Sequence, residues 1–118
     1  MKGQLILFPD SLPAVDYQPL YLKVKEQIDK DFHPYGALPK APAQLSAEWL
    51  FTELKSLIQR VMQQNMTGWT AVIYRIDISE STLQRELIGL AGDEKWNKLT
   101  LLILEREAKK VWMRQQFS

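Results

Sequence analysis

The chain has 118 residues, with 15 Lys and Arg against 14 Asp and Glu, a formal charge of +1 at pH 7 and no cysteine. That length suits a single domain burying about two-thirds of its unfolded surface, and the missing cysteine removes disulfides, thiolate metal sites and cysteine nucleophiles. A near-zero balance sets up no broad field for a polyanion, so nucleic-acid binding would have to rest on a local patch.

No apolar run approaches the ~20 residues of a membrane span. The apolar stretch in "MKGQLILFPD" is shorter than a signal peptide's core of roughly 7–15 residues, and no small-residue cleavage site follows it. A soluble, cytoplasmic protein without a membrane partner is expected, and the lack of cysteine is compatible with a reducing compartment.

In chain order, residues 1–18 read as an extended arm, because "PDSLPAVDYQ" is loop-like. The apolar residues of "QLILFP" then need burial, in this chain or in a partner. The first helix is expected over Pro19–Phe32. Proline suits a first helical position, and Leu20, Tyr21, Val24, Ile28 and Phe32 share an arc of about 120°. Pro34 ends it. The single histidine, His33, sits at that end, where Asp29 or Asp31 can pair with it. Without a recognisable nucleophile beside it, His33 reads as a surface residue rather than a general base.

The segment "HPYGALPKAPAQL", residues 33–45, is a proline-rich loop connecting two helices within one domain spanning 1–118. The second helix is expected over Ala47–Asn65, with Ser46 as N-cap and Glu48 at the positive helix end. Ala47, Leu50, Phe51, Leu54, Leu57, Ile58, Val61 and Met62 share one arc of about 140°. Trp49 falls on the opposite side, where it either covers a loop or contacts a partner.

"GWTAVIYRIDIS" fits two periods. Trp69, Val72, Ile73 and Ile76 match a helix, while Val72, Tyr74, Ile76 and Ile78 match a strand. A short helix is favoured, because a strand would have only "QLILF" to pair with and a two-stranded ribbon is rarely stable without further packing. "DISESTLQRELIGLAGD" reads as a further helix, capped by Ser79 with an Ile78–Leu83 staple, or by a Ser81–Gln84 box. Leu83, Leu87 and Leu90 face inward, Gly92 ends the helix, and Asp93 caps the next.

The last helix is expected over Glu94–Gln115. Trp96, Leu99 and Ile103 form one stripe; Leu101, Leu104, Ala108, Val111 and Trp112 form another. A helix apolar on all sides in its middle belongs at the centre of a bundle, with its final turns emerging at the edge. Arg106, Lys110 and Arg114, at i, i+4 and i+8, lie opposite the Leu104/Ala108/Val111 stripe. They read as a solvated basic row, balanced by Glu105 with Lys109 and Glu107 with Lys110, while Trp112 turns inward. The competing reading is a phosphate or acidic-partner contact, or a modest nucleic-acid grip.

Chemical motifs are missing elsewhere. Asp77, Ser79 and Glu80 lack the glycine and further acids of a calcium loop, and capping accounts for them better. There is no H-E-x-x-H, no glycine-rich phosphate loop and no serine elbow. No catalytic residue, cofactor or metal is expected.

The apolar run followed by "EREAKKVW", together with "VIYRIDISE", resembles the C-terminal parts of short bacterial proteins of unknown function. The resemblance covers the last third to half of the chain. It implies a self-contained domain of this length and transfers no site.

The resulting expectation is an all-α bundle of four to five helices with an extended arm; the alternative is an α+β fold with a minor ribbon. Function is expected to be non-catalytic, a protein-interaction or self-associating domain, with Trp49, Arg106, Lys110 and Arg114 as candidate contact residues. The alternatives are a nucleic-acid or acidic-partner binder using the basic row, and a small enzyme joining His33 to a distant carboxylate.

Overall fold

Five helices and no strand are found among the residues that the computed structural model describes, 7–8 and 17–117. They are α1 (Gln18–Phe32), α2 (Ala47–Gln64), α3 (Met66–Ile76), α4 (Glu80–Leu87) and α5 (Gly92–Phe117). The chain is an all-α bundle, and the ribbon alternative falls away. Most of the expected arm lies outside the described residues. Within it, Phe8 is buried among the rings of Tyr17, Tyr21 and Trp112, each with its centroid 6.2 Å away.

Pro19 opens α1 as its missing N–H allows. No side chain caps that end of the helix. Instead Gln18 clamps the far end of the proline-rich loop, accepting from the Leu45 N–H at 2.8 Å and donating to its carbonyl at 2.6 Å. Asp29 accepts from the Leu38 N–H at 2.8 Å. With Leu38 and Leu45 both buried, the loop 33–45 is fastened along α1. Leu38 of the loop joins the same hydrophobic cluster as the buried residues of α1 and α2.

Ser46 caps α2, its hydroxyl accepting from the Trp49 N–H at 2.9 Å. Asn65 ends α2 and caps α3 at once, with its side-chain oxygen accepting from the Gly68 N–H at 2.8 Å. Gly68 is a position of close approach, because a β-carbon there would stand 2.6 Å from Cδ1 of the Tyr35 ring. On α3, Trp69, Val72 and Ile76 are buried and Tyr74 is 85% exposed. Strand alternation would have put Tyr74 with Val72 and Ile76. The helical period prevails because a single face of α3 meets α1, α2 and α5.

Asp77 closes α3 in the left-handed region, φ 69°, which aspartate tolerates better than most residues. Ser79 caps α4, accepting from the Thr82 N–H at 3.1 Å, so the earlier of the two expected caps is used. The expected end of this helix is displaced. α4 stops at Leu87, Gly89 turns the chain at φ 82°, and Gly92 begins α5 instead of ending α4. Asp93 therefore lies inside the first turn of α5, where its carboxylate meets Lys55 at 2.6 Å.

α5 packs against all four other helices, as its all-round apolar middle implies. Leu99, Ile103, Leu104, Ala108 and Val111 are buried on it, and Met113 to Gln116 emerge into solvent. No helix among the described residues is long and apolar enough to cross a membrane.

Candidate functional site

A polar seam runs along the contact between α1 and α5. The two helices are antiparallel there, since Gln27 meets Arg114 one turn before Asp31 meets Lys110. Each member is placed by helical spacing. Gln27 and Asp31 are one turn apart on α1 beside Val24 and Ile28; Glu107, Lys110 and Arg114 follow one another on α5.

The centre of the seam is sealed. Glu107 has no exposed surface and Asp31 only 5%. The Lys110 ammonium donates to Asp31 Oδ2 at 2.7 Å and to the Arg75 carbonyl at 3.0 Å, and lies 3.5 Å from Glu107 Oε1. Asp31 also accepts from Gln27 Nε2 at 3.1 Å. Arg75 reaches over from α3 to the carbonyls of Asp31 and His33, with its guanidinium 5.9 Å from the Tyr35 ring centre.

One half-buried ammonium faces two buried carboxyls, and the second negative charge has nothing to neutralise it. Neither Glu107 oxygen accepts a hydrogen bond from a donor of the protein. Burial, reinforced by the neighbouring Asp31 carboxylate, pushes Glu107 up to about 9 against the pull of Lys110. Burial and the Asp31 charge thus favour the protonated form of Glu107 at pH 7, and in that form its hydroxyl is the group able to donate to Asp31. Burial also works against the Asp31 anion. Hydrogen bonds from Glu107, Lys110 and Gln27 outweigh it and hold Asp31 below the usual carboxylate range. Keeping a proton on Glu107 at pH 7 costs roughly 3 kcal/mol relative to a free carboxyl, less than the several kcal/mol of an unpaired buried ion.

The expected solvated row of Arg106, Lys110 and Arg114 is therefore corrected. Arg106 donates to the Ile76 carbonyl at 3.2 Å and to Asp77 at 3.1 Å. Lys110 belongs to the sealed seam. Arg106 and Lys110 are half-buried, and Arg114 is the exposed member of the three, donating to Gln27 Oε1 at 3.0 Å. A central helix has neighbours on the side opposite its first apolar stripe, so that side is not solvent. Trp112 is half-buried against Phe8, in keeping with its inward reading. The expected Glu105–Lys109 pair is not formed, and both residues are exposed. Trp49 is half-buried on the core of the bundle. The four candidate contact residues thus do not form one patch.

His33 is exposed, and both carboxylates expected beside it are engaged elsewhere, Asp29 with Lys25 at 2.7 Å and Asp31 with Lys110. No group of three or more His, Cys, Asp or Glu side chains able to hold a metal is found among the described residues.

Sequence reasoning paired Glu107 with Lys110, as found, but placed both on a solvated face, set Asp31 beside His33 and did not single out Gln27. A signal for them existed: Glu107 is i+4 from Ile103 and i−4 from Val111, and Asp31 is i+3 from Ile28. A carboxylate inside an apolar stripe on each of two helices, with one lysine a turn away, marks a buried pair. Comparing acids only within their own helix hid it.

Where the seam reaches the surface it opens into a groove of about 380 Å³, bordered by Lys23, Glu26, Lys30 and Arg114 around Gln27 and Val111. Asp31, Glu107 and Lys110 do not line it. A second hollow, about 270 Å³, surrounds the Arg106–Asp77 pair at the start of α4. No family model, no curated protein and no solved structure matches the chain.

Proposed function

We propose that this chain is a non-catalytic protein-interaction domain, and that the α1–α5 groove is its contact surface. The observation that carries the reading is a division of labour. The buried carboxyls of Asp31 and Glu107 are spent on Lys110 and on each other and are closed to solvent. The groove above them is bordered by Lys23, Glu26 and Lys30, which make no ion pair among the described residues. A catalytic acid or base needs access to a substrate proton, which Glu107 lacks; a contact surface needs side chains free to engage, which the groove has.

The test is covalent capture in the native cell from a photo-reactive residue at Gln115 on the groove rim, compared with one at Gln63 on α2. Adducts to another protein from position 115 and not from 63 support the reading. Adducts only to a second copy select self-association, and none from either position ends the proposal.

Self-association is the second reading, favoured by Tyr74 and Ile88, 85% and 81% exposed. It loses one motive, because Phe8 of the arm is covered within this chain. Light scattering at high concentration separates the two: a monomer removes it. The nucleic-acid reading gains nothing, as Asp77 and Asp31 already hold two cations of the proposed row.

A further inference from the structure

We infer that the α1–α5 groove takes an acidic segment of a partner protein, with Arg114 as its fixed anchor. The inference rests on the interaction reading above and adds the chemistry of the partner.

Three cations and one anion border the groove. Lys23, Glu26, Gln27 and Lys30 follow at i, i+3, i+4 and i+7, so they share one face of α1. Arg114 approaches from α5. Most other lysines and arginines that meet a carboxylate do so far from this place: Lys55 with Asp93, Lys98 with Glu86, Arg106 with Asp77. Lys23 and Lys30 meet none among the described residues, and Arg114 meets only the neutral amide of Gln27. Lys40, Arg60, Arg75, Lys95 and Lys109 also meet no carboxylate among the described residues, but at this recess three such cations stand around a single anion, a local excess of positive charge.

Arg114 is also held in place. Gln27 is 5% exposed, its amide nitrogen is committed to Asp31, and its oxygen receives Arg114 Nη1 at 3.0 Å. One of the five guanidinium N–H groups is used there, leaving donors in the fork geometry that matches a carboxylate. A side chain already ordered by its own fold loses less entropy when it binds. Val111 supplies apolar floor. The recess has the volume of a few side chains, and among the described residues no aromatic ring borders it for a base to stack on. With a net charge of +1 and no stacking ring among the described residues of the recess, an acidic peptide suits it better than a nucleic acid.

The experiment uses the full chain and a fluorescent peptide of alternating Glu and Leu, followed by anisotropy at low salt. A Gln/Leu peptide and a single-stranded RNA oligomer serve as comparisons. Arg114→Glu and Lys30→Glu are expected to weaken peptide binding about tenfold each, and Glu26→Lys to tighten it by a similar factor. All three positions are exposed, so the fold is retained, which circular dichroism checks. Added salt weakens the complex. An unchanged affinity in Glu26→Lys overturns the inference, as does binding of the RNA in preference to the peptide. If the peptide does not bind while position 115 still captures a partner in cells, the interaction reading stands and the acidic chemistry is wrong. If both fail, both readings go.

Discussion

The central helix α5 is held by two partners of opposite character. α2 buries Ala47, Leu50, Leu54, Leu57, Ile58 and Val61, all apolar. α1 buries Val24, Ile28 and Phe32, but also Gln27 and Asp31, and faces the buried Glu107. The α2 side is held by transfer of apolar surface out of water, which is indifferent to pH and tolerant of small slips in register. The α1 side is held by groups that fit in one register only, at a cost in desolvation. Buried polar contacts of this kind set alignment more than they add stability, and here the alignment brings Arg114 over Gln27 at the groove.

The comparison is most severely tested at Lys110. Lys110→Met leaves Asp31 buried without its counter-ion, and urea unfolding should show a loss of roughly 3–5 kcal/mol. Replacing Asp31, Glu107 and Lys110 together by apolar residues of similar size should cost less than that single change, since no orphaned charge remains. If the single variant loses under about 1 kcal/mol, the seam is wet and the contrast collapses.

On the other side, Leu57→Ala should cost about 3 kcal/mol through lost transfer and a residual cavity. The same loss is expected at pH 5 and at pH 8. A loss that changes with pH would mean that the apolar side is coupled to the seam.

Glu107→Gln has the opposite sign. The folded-state pKa of Glu107, about 9, lies above its unfolded value near 4.5. Between those values the unfolded chain has released a proton that the folded chain keeps, so each pH unit upward removes about 1.4 kcal/mol of stability. Glutamine does not titrate. The variant should gain on the natural chain as pH rises, by about 2 kcal/mol near pH 8 after allowing for the weaker hydrogen bond to Asp31. Asp31 acts at the acid end. Its lowered pKa gives stability that is present above the ordinary carboxylate range and lost as pH falls through the folded-state value. Unfolding midpoints measured across pH for both chains decide this; parallel curves would place Glu107 in its ionised form.

The smallest effect is at a cap. Ser46→Ala removes the acceptor for the Trp49 N–H and should cost about 1 kcal/mol at the apolar partner helix, with no pH dependence.

Helix starts were legible because they depend on neighbours in the chain. Pro19, Ser46 and Ser79 act within one turn, so reading them requires no knowledge of the fold. The end of α4 was not, because Gly89 and Gly92 are both plausible stops and the choice depends on how α5 must lie. The site was harder still. Spacing shows that Glu107 shares a line with Ile103 and Val111, but not which helix covers that line. Arg106 and Lys110 do stand away from Leu104 and Ala108 on α5, while Arg114, three residues after Val111, borders the same groove as Val111. What spacing left out is that α1 and α3 occupy that side.

By itself the sequence determined the order of the helices, their apolar faces and the central place of the last one, because hydrophobic period and capping are properties of adjacent residues. Only the tertiary structure decided the charge state of Glu107 and the uses of the three cations. Those depend on groups brought within a few ångströms from across the chain, as with Lys110 and Asp31, 79 residues apart. Where water is excluded, a proton or an ion pair is set by such distances and not by the identity of the residue.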